Sequence, residues 1–232
     1  MAGSRHLSCF ALANGACLIQ RARMSTPNVY CMDHPLILHH LTELRDETTT
    51  PRIFRANVNR LATLLAYEAT QDLQISERPV KTPVTHATGH ALSERIGLIP
   101  ILRAGLGMVD PVLELIPDAE VWHLGMYRDE KTFQTVEYYQ KLPEDRPVDV
   151  GMIVDPMLAT GGSAIAALEA VTAWGAGRTK LLAIIASPEG IAAIQEKFPD
   201  TQIYVCAIDE KLNANKYIVP GLGDAGDRIF NT

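Results

Sequence analysis

The run Val154-Asp155-Pro156-Met157-Leu158-Ala159-Thr160-Gly161-Gly162-Ser163 sets a carboxylate, two hydroxyls and two adjacent glycines between an apolar segment and an Ala-rich one. Upstream, Val148 to Val154 is apolar and partly β-branched; downstream, Ala164 to Trp174 has helical propensity and stops at Gly175 and Gly177. The spacing therefore predicts strand, turn and helix. Glycines at the turn let backbone N–H groups converge, Thr160 and Ser163 add hydroxyl donors, and the helix directs its positive end at whatever anion lies there. A phosphate monoester suits such a cradle. Asp155, at the carboxyl end of the strand, can accept hydrogen bonds from two vicinal hydroxyls, as a carboxylate holding a ribose does. The simpler alternative is an ordinary helix start with Ser163 as its cap and the glycines serving only the turn.

Three other stretches combine glycine with charge. Pro100-Ile101-Leu102-Arg103-Ala104-Gly105-Leu106-Gly107 puts an arginine and two glycines directly after an apolar run. There a guanidinium can fork onto phosphate, or simply be solvated at a strand-end turn. Gly125-Met126-Tyr127-Arg128-Asp129-Glu130-Lys131 carries charges of both signs after another apolar run, which also fits a solvated surface loop. Gly221-Leu222-Gly223-Asp224-Ala225-Gly226 matches G-x-G-x-x-G, but a dinucleotide fingerprint needs an acid about 20 residues further on, and Thr232 ends the chain. No Walker lysine motif and no Ser-His-Asp arrangement is present, and no carboxylates are paired as at a sugar cleft. The seven histidines, His39, His40, His86 and His90 among them, show no metal-ligand spacing.

Positioning these groups requires a scaffold. Thr50-Pro51 reads as cap and first helical residue, and Phe54, Val58, Leu61 and Leu65 recur at helical spacing, predicting a helix over residues 51–72. Short apolar segments follow at Leu98 to Leu102, Val121 to Met126, Met152 to Val154, Leu181 to Ala186 and Ile203 to Ile208, several separated by helical patterns. Alternation of this kind implies a mainly parallel sheet covered by helices on both faces, with ligands beyond the carboxyl ends of the strands. Each motif lies at such an end or in the loop after it.

At 232 residues and a net charge of −6, the chain is long enough for one sizeable catalytic domain, and it has no basic run that would mark a nucleic-acid surface. Cys9, Cys17, Cys31 and Cys206 are scattered, indicating neither a zinc site nor a disulfide framework and suiting a reducing cytoplasm. No apolar run approaches the roughly 20 residues of a membrane span. Residues 1–23 contain Arg5, Arg21 and Arg23 and no acid, as a transit peptide would. They are expected instead to be an extension outside the core, from an upstream start or a non-native leader, with residues 24–232 forming a single domain.

The Asp155 to Ser163 string resembles the phosphoribosyl-diphosphate (PRPP) motif of type I phosphoribosyltransferases, and its wording is similar to that of the uracil branch, since most of the superfamily carries a second acid where Pro156 stands. The resemblance runs from about Asp33 to the end. It implies an α/β fold with a mainly parallel central sheet flanked by helices and a small hood made by the terminal segments. It further implies PRPP contacts from Arg103, Arg128, Asp155, Pro156, Met157, Leu158, Ala159, Thr160, Gly161, Gly162, Ser163 and Asp224. The Arg103 loop would hold the diphosphate and often carries a non-proline cis peptide in this superfamily. Residues through Gln140 would form a lid, with Lys131 assisting. Tyr217 to Asp227 resembles a uracil-binding hood, with Ile218, Gly223, Asp224 and Ala225 at the base. Asp224, Arg103 and Arg128 would be catalytic in pyrimidine salvage. The implied cofactor is Mg²⁺, held mainly through PRPP, with no protein ligand assigned, and GTP as an allosteric activator is compatible. The implied partners are uracil, PRPP and further copies of the chain, with neither nucleic acid nor membrane. A non-catalytic PRPP sensor is the alternative within the fold, and a dehydrogenase the alternative outside it.

Overall fold

The computed structural model describes residues 27–128, 135–140, 142–143 and 146–232. Strand β1 (Val29–Cys31) leads into helix α1 (Pro35–Arg45), opened by His34, whose ring accepts from the Leu36 amide. The predicted second helix is α2 (Pro51–Ala69), entered at Thr50 with proline in its first turn. Its buried stripe includes Phe54, Val58, Leu61 and Leu65, the residues whose spacing announced it. It stops three residues earlier than Asp72. The cause lies elsewhere in the chain: Lys180, fully buried, donates to the Ala69 carbonyl at 2.6 Å and pairs with Asp72, which must leave the helical path to reach it.

Next come β2 (Ile75–Lys81) and β3 (His86–Leu92), an antiparallel hairpin that is exposed along nearly its whole length. Strand β4 (Ile96–Leu102) is followed by a 3-10 turn at Ala104–Met108 and helix α3 (Val109–Leu115). The apolar segment predicted at Val121 to Met126 is two strands, β5 (Glu120–Val121) and β6 (Leu124–Arg128), interrupted at Trp122 and His123, and β7 (Thr135–Gln140) returns antiparallel to β6. Then follow β8 (Val150–Val154), β9 (Met157–Leu158), α4 (Gly162–Trp174), β10 (Arg178–Ala186), α5 (Pro188–Lys197), β11 (Gln202–Ile208), the short antiparallel pair β12 (Lys211–Leu212) and β13 (Ile218–Val219), and α6 (Ala225–Phe230).

The main sheet runs in the order β1-β11-β10-β8-β4-β6-β7, parallel throughout except for the β6/β7 edge. Its central strands are buried on both faces, which is why they read as continuous apolar runs. Alternate residues of β10 separate the two cores. Leu182 and Ile184 pack under α1, α2 and α3, whereas Leu181 and Ala183 pack under α4 and α5. The fold class is therefore as expected. Among the described residues no helix is long and apolar enough to cross a membrane. Residues 1–23 lie outside the described portion.

Candidate active site

Where β8 ends, the chain does not leave the sheet freely. The Asp155 amide donates to the Leu182 carbonyl at 3.2 Å, and the Pro156 carbonyl accepts from the Ile184 and Ile185 amides at 3.0 and 3.1 Å. Met157 and Leu158 then form β9 against Ile185 and Ala186. Behind the turn, Ser187 Oγ donates to the Ala159 carbonyl at 2.6 Å and accepts from the Gly190 amide at 2.9 Å. Gly190 must be glycine, because a Cβ there would collide with that same carbonyl. Gly161 has φ +84° and occupies the cap position of α4, and a Cβ on it would come 3.2 Å from the Gly190 carbonyl.

No side chain caps α4. Ser163 lies inside its first turn rather than at the cap, and the Gly162 amide meets the Thr160 hydroxyl at 3.5 Å, while the next amides of that turn open on the loop. The resulting concavity is lined by Asp155, Met157, Leu158, Ala159 and residues 160–163. Pro156 is not part of that lining; it is buried with its carbonyl committed to β10. Leu158 turns its side chain into the α4/α5 core, leaving its main chain toward the loop.

Burial pushes the Asp155 carboxyl up to about 7; its hydrogen bond from the Met157 amide opposes the shift, and the charge of Asp224 adds to it. Asp155 and Asp224 therefore share one electrostatic neighbourhood although 69 positions apart. Asp224 caps α6, accepting from the Asp227 amide at 2.9 Å. Two carboxylates in one such neighbourhood have the oxygen chemistry that suits a hard dication retaining water and phosphate oxygens.

Arg103 comes from the other side. The Leu102-Arg103 peptide is cis, and the loop after β4 packs so tightly that a Cβ on Gly105 would lie 2.5 Å from the Val154 carbonyl. Arg103 Nη2 rests 3.1 Å from Asp227 Oδ1, both side chains about half exposed. Gly226 stands between the groups: a Cβ there would be 3.2 Å from Asp224 Oδ1 and 3.7 Å from Arg103 Nη2. Arg128 ends β6, which pairs with β4 at Leu102, so its backbone reaches the same end of the sheet. Its side chain and the lid residues Asp129, Glu130 and Lys131 lie outside the described portion.

Ile218 and Ala225 are buried, and between them the chain makes a tight excursion through a cis Val219-Pro220 peptide, Gly221 at φ +67° and Gly223 at φ +80°. Both positive φ values explain the glycines. The terminal segments do meet, as the hood expectation requires: Arg45 at the end of α1 donates to the Gly221 carbonyl at 2.6 Å, and Arg228 in α6 donates to the carbonyls of Leu44 and Asp46, each at 2.6 Å. Sequence reading missed Arg45, Ser187 and Gly190, since none of them lies within a glycine-charge motif.

It also overlooked a histidine grouping. His39, His40 and Glu43 on α1 bring ligand atoms within 4.8 Å of one another. Burial lowers the His40 pKa, and the positive charge of Arg60, which adds to that shift, also opposes a cation there. The cluster is separate from the cradle.

Comparison with known proteins agrees with this geometry. A family model described as uracil phosphoribosyltransferase matches residues 31–232. A uracil phosphoribosyltransferase of Roseiflexus castenholzii is 56% identical over 204 residues, covering 88% of this chain and 98% of that protein. One from Bacillus thuringiensis is 53% identical over 205 residues, with the same coverage. Among solved structures, the AQ2163 protein of Aquifex aeolicus superposes with a TM-score of 0.83 at 38% identity, covering 87% of this chain and 97% of that one. Adenine phosphoribosyltransferase of Leishmania donovani, at 11% identity and a TM-score of 0.54 over 84% of this chain and 89% of that one, shares the fold. With the cradle, the two acids and Arg103 assembled at one end of a parallel sheet, the chain belongs to the uracil phosphoribosyltransferase family.

Proposed function

We propose that the protein transfers the phosphoribosyl group of PRPP to uracil, giving UMP and diphosphate in pyrimidine salvage. The observation that carries this reading is the convergence of Asp155, Asp224 and Arg103 beside a cradle whose helix has no side-chain cap. Main-chain amides of residues 160–163 hold the 5′-phosphate. Asp155 accepts hydrogen bonds from the ribose hydroxyls, which orients the sugar ring. Arg103 and Arg128 neutralise the leaving diphosphate. The C1–O bond to diphosphate breaks as the C1–N1 bond to uracil forms, and the N1 proton is released. The developing positive charge on the sugar is met by the nearby carboxylates, with no protein nucleophile. Mg²⁺ supplies charge neutralisation of the diphosphate when bound. Ile218, Gly223 and Ala225 read the base through main-chain groups. An exocyclic amino group, as on cytosine, would then present a donor to a donor.

The same proposal includes assembly into a homo-oligomer and a cytoplasmic setting. A two-stranded ribbon is marginal alone in water, and β2, β3 and the turn between them leave Ile75, Leu92 and Val84 exposed, which favours a second copy as cover. Light scattering of the purified chain tests the assembly. The activity is tested by incubating the protein with Mg²⁺ and PRPP and offering uracil, cytosine, orotate and hypoxanthine separately. UMP from uracil alone is expected. Adding GTP to the uracil reaction tests activation, and a rate unchanged by GTP removes the effector from the account.

A further inference from the structure

One ion pair behind the hood has no part in the chemistry above. Asp209 follows β11, is 5% exposed, and is anchored by its own amide to the Ala186 carbonyl at 2.8 Å. Arg45, the last residue of α1, forks onto it: Nη1 donates to Oδ2 at 2.8 Å and Nη2 to Oδ1 at 2.5 Å. Both partners also grip one residue of the hood. Arg45 Nη1 donates to the Gly221 carbonyl at 2.6 Å, and Asp209 Oδ2 accepts from the Gly221 amide at 2.9 Å. The N–H and the C=O of Gly221 are thus both fixed by a single bidentate pair.

The neighbouring residue is treated alike. Arg228 Nη1 donates to the Leu222 carbonyl at 2.7 Å while its guanidinium lies 4.4 Å from the Phe54 ring centre. The anchored pair Gly221-Leu222 sits between Ile218 and Gly223, the two positions assigned to the base. Main-chain recognition tolerates little displacement, since a shift of a few tenths of an ångström spoils a hydrogen bond that a side chain would re-aim.

We propose that Arg45 and Asp209 are positioning residues for base recognition, fixing the Gly221 peptide so that the main-chain groups of Ile218 and Gly223 keep the spacing uracil requires. This rests on the assignment of uracil to the hood. A planar guanidinium is needed because three acceptors in two directions must be served by one head group, which a lysine ammonium on a flexible stem cannot do with the same rigidity.

The test compares Arg45→Lys and Asp209→Asn with the parent, both conservative enough to fold where Arg45→Met would leave a buried carboxylate unpaired. Steady-state kinetics with each substrate varied and calorimetric PRPP binding are the readouts. The KM for uracil is expected to rise about tenfold or more in both variants, with PRPP affinity within twofold of the parent. Equal losses toward both substrates, or an unchanged uracil KM in a folded variant, would overturn the proposal and leave the pair a purely structural tie. Gly223→Ala is measured alongside. If it too leaves the uracil KM unchanged, the assignment of the base to the hood is what has failed; if it alone raises that KM, the hood stands and the positioning role falls.

Discussion

Between Asp155 and Ser163 the site is held by the sheet itself: strand pairing on β10, a serine hydroxyl on Ala159 and a glycine packed against the turn. Between Ile218 and Ala225 it is held by side chains: Arg45 reaches Gly221 from a helix 176 positions away, and Arg228 ties Leu222 to Leu44, 184 positions from itself. The first arrangement is continuous with the core, so it moves only if the core does. The second depends on a few charge-assisted hydrogen bonds and can be loosened one bond at a time. On the proposed assignment, a phosphate site and a base site are thus built with different susceptibility to change.

Substitutions can separate the two regions, and the largest effect is expected at their junction. Asp224→Asn keeps the helix cap, asparagine being as good a cap as aspartate, but removes the charge. Turnover should fall about a thousandfold, near 4 kcal/mol of barrier, with the melting temperature almost unchanged. Turnover within tenfold of the parent would take Asp224 out of the mechanism. Next in size, Gly161→Val forces a β-branched residue to a φ of +84° and against Gly190. PRPP affinity by calorimetry should drop about a hundredfold, on the order of 2.7 kcal/mol. Unaltered affinity would mean that the loop is not the phosphate cradle.

On the hood side, Arg228→Lys forfeits two of three carbonyl contacts and the face of Phe54, costing about 2 kcal/mol in chemical denaturation. A loss confined to uracil binding, with stability intact, would show that the hood is looser than drawn. The last effect, of similar size, depends on pH. The Asp155 carboxyl titrates near 7 in the folded chain against 3.8 for the ordinary group, so the folded state keeps a proton that the unfolded state has released. Stability from this group is present at low pH and is lost as the pH climbs toward and through 7. Asp155→Asn should therefore flatten the decline in unfolding free energy between pH 5.5 and 8.5 by about 2 kcal/mol. Parallel curves for parent and variant would place Asp155 in a better solvated position than the fold gives it.

The strand, turn and helix around Asp155 were legible because their signals are contiguous, an apolar run, an acid, two glycines and an Ala-rich run, whereas Ser187 and Gly190, which brace that turn from behind, were not. The buried strands were legible for a similar reason, as runs of apolar residues need no partner to be noticed. What escaped was decided at a distance. Nothing near Asp72 says that α2 must stop at Ala69 to let that carboxylate meet Lys180. Nothing near Arg45 says that its guanidinium belongs to Gly221. The β2–β3 hairpin was invisible for the opposite reason, since a ribbon with both faces exposed has no buried face to impose an alternation of polar and apolar residues. The resemblance of residues 217–227 to a known hood supplied an expectation that local chemistry did not, because the glycine pattern there matches only a dinucleotide fingerprint whose further requirements the sequence does not meet.

Arg103 rests against Asp227 in a pair exposed on both sides. Such contacts are held by well under about 1 kcal/mol, so the guanidinium is parked rather than locked. A parked cation stays extended at the mouth of the site and is released by any ligand that presents more negative charge than one carboxylate. A diphosphate does so strongly, an orthophosphate more weakly, and a neutral free base not at all. On the proposed reading of the site, the ion pair is thus a graded threshold on charge, one that a polyanion at the end of β4 passes and a neutral ligand does not.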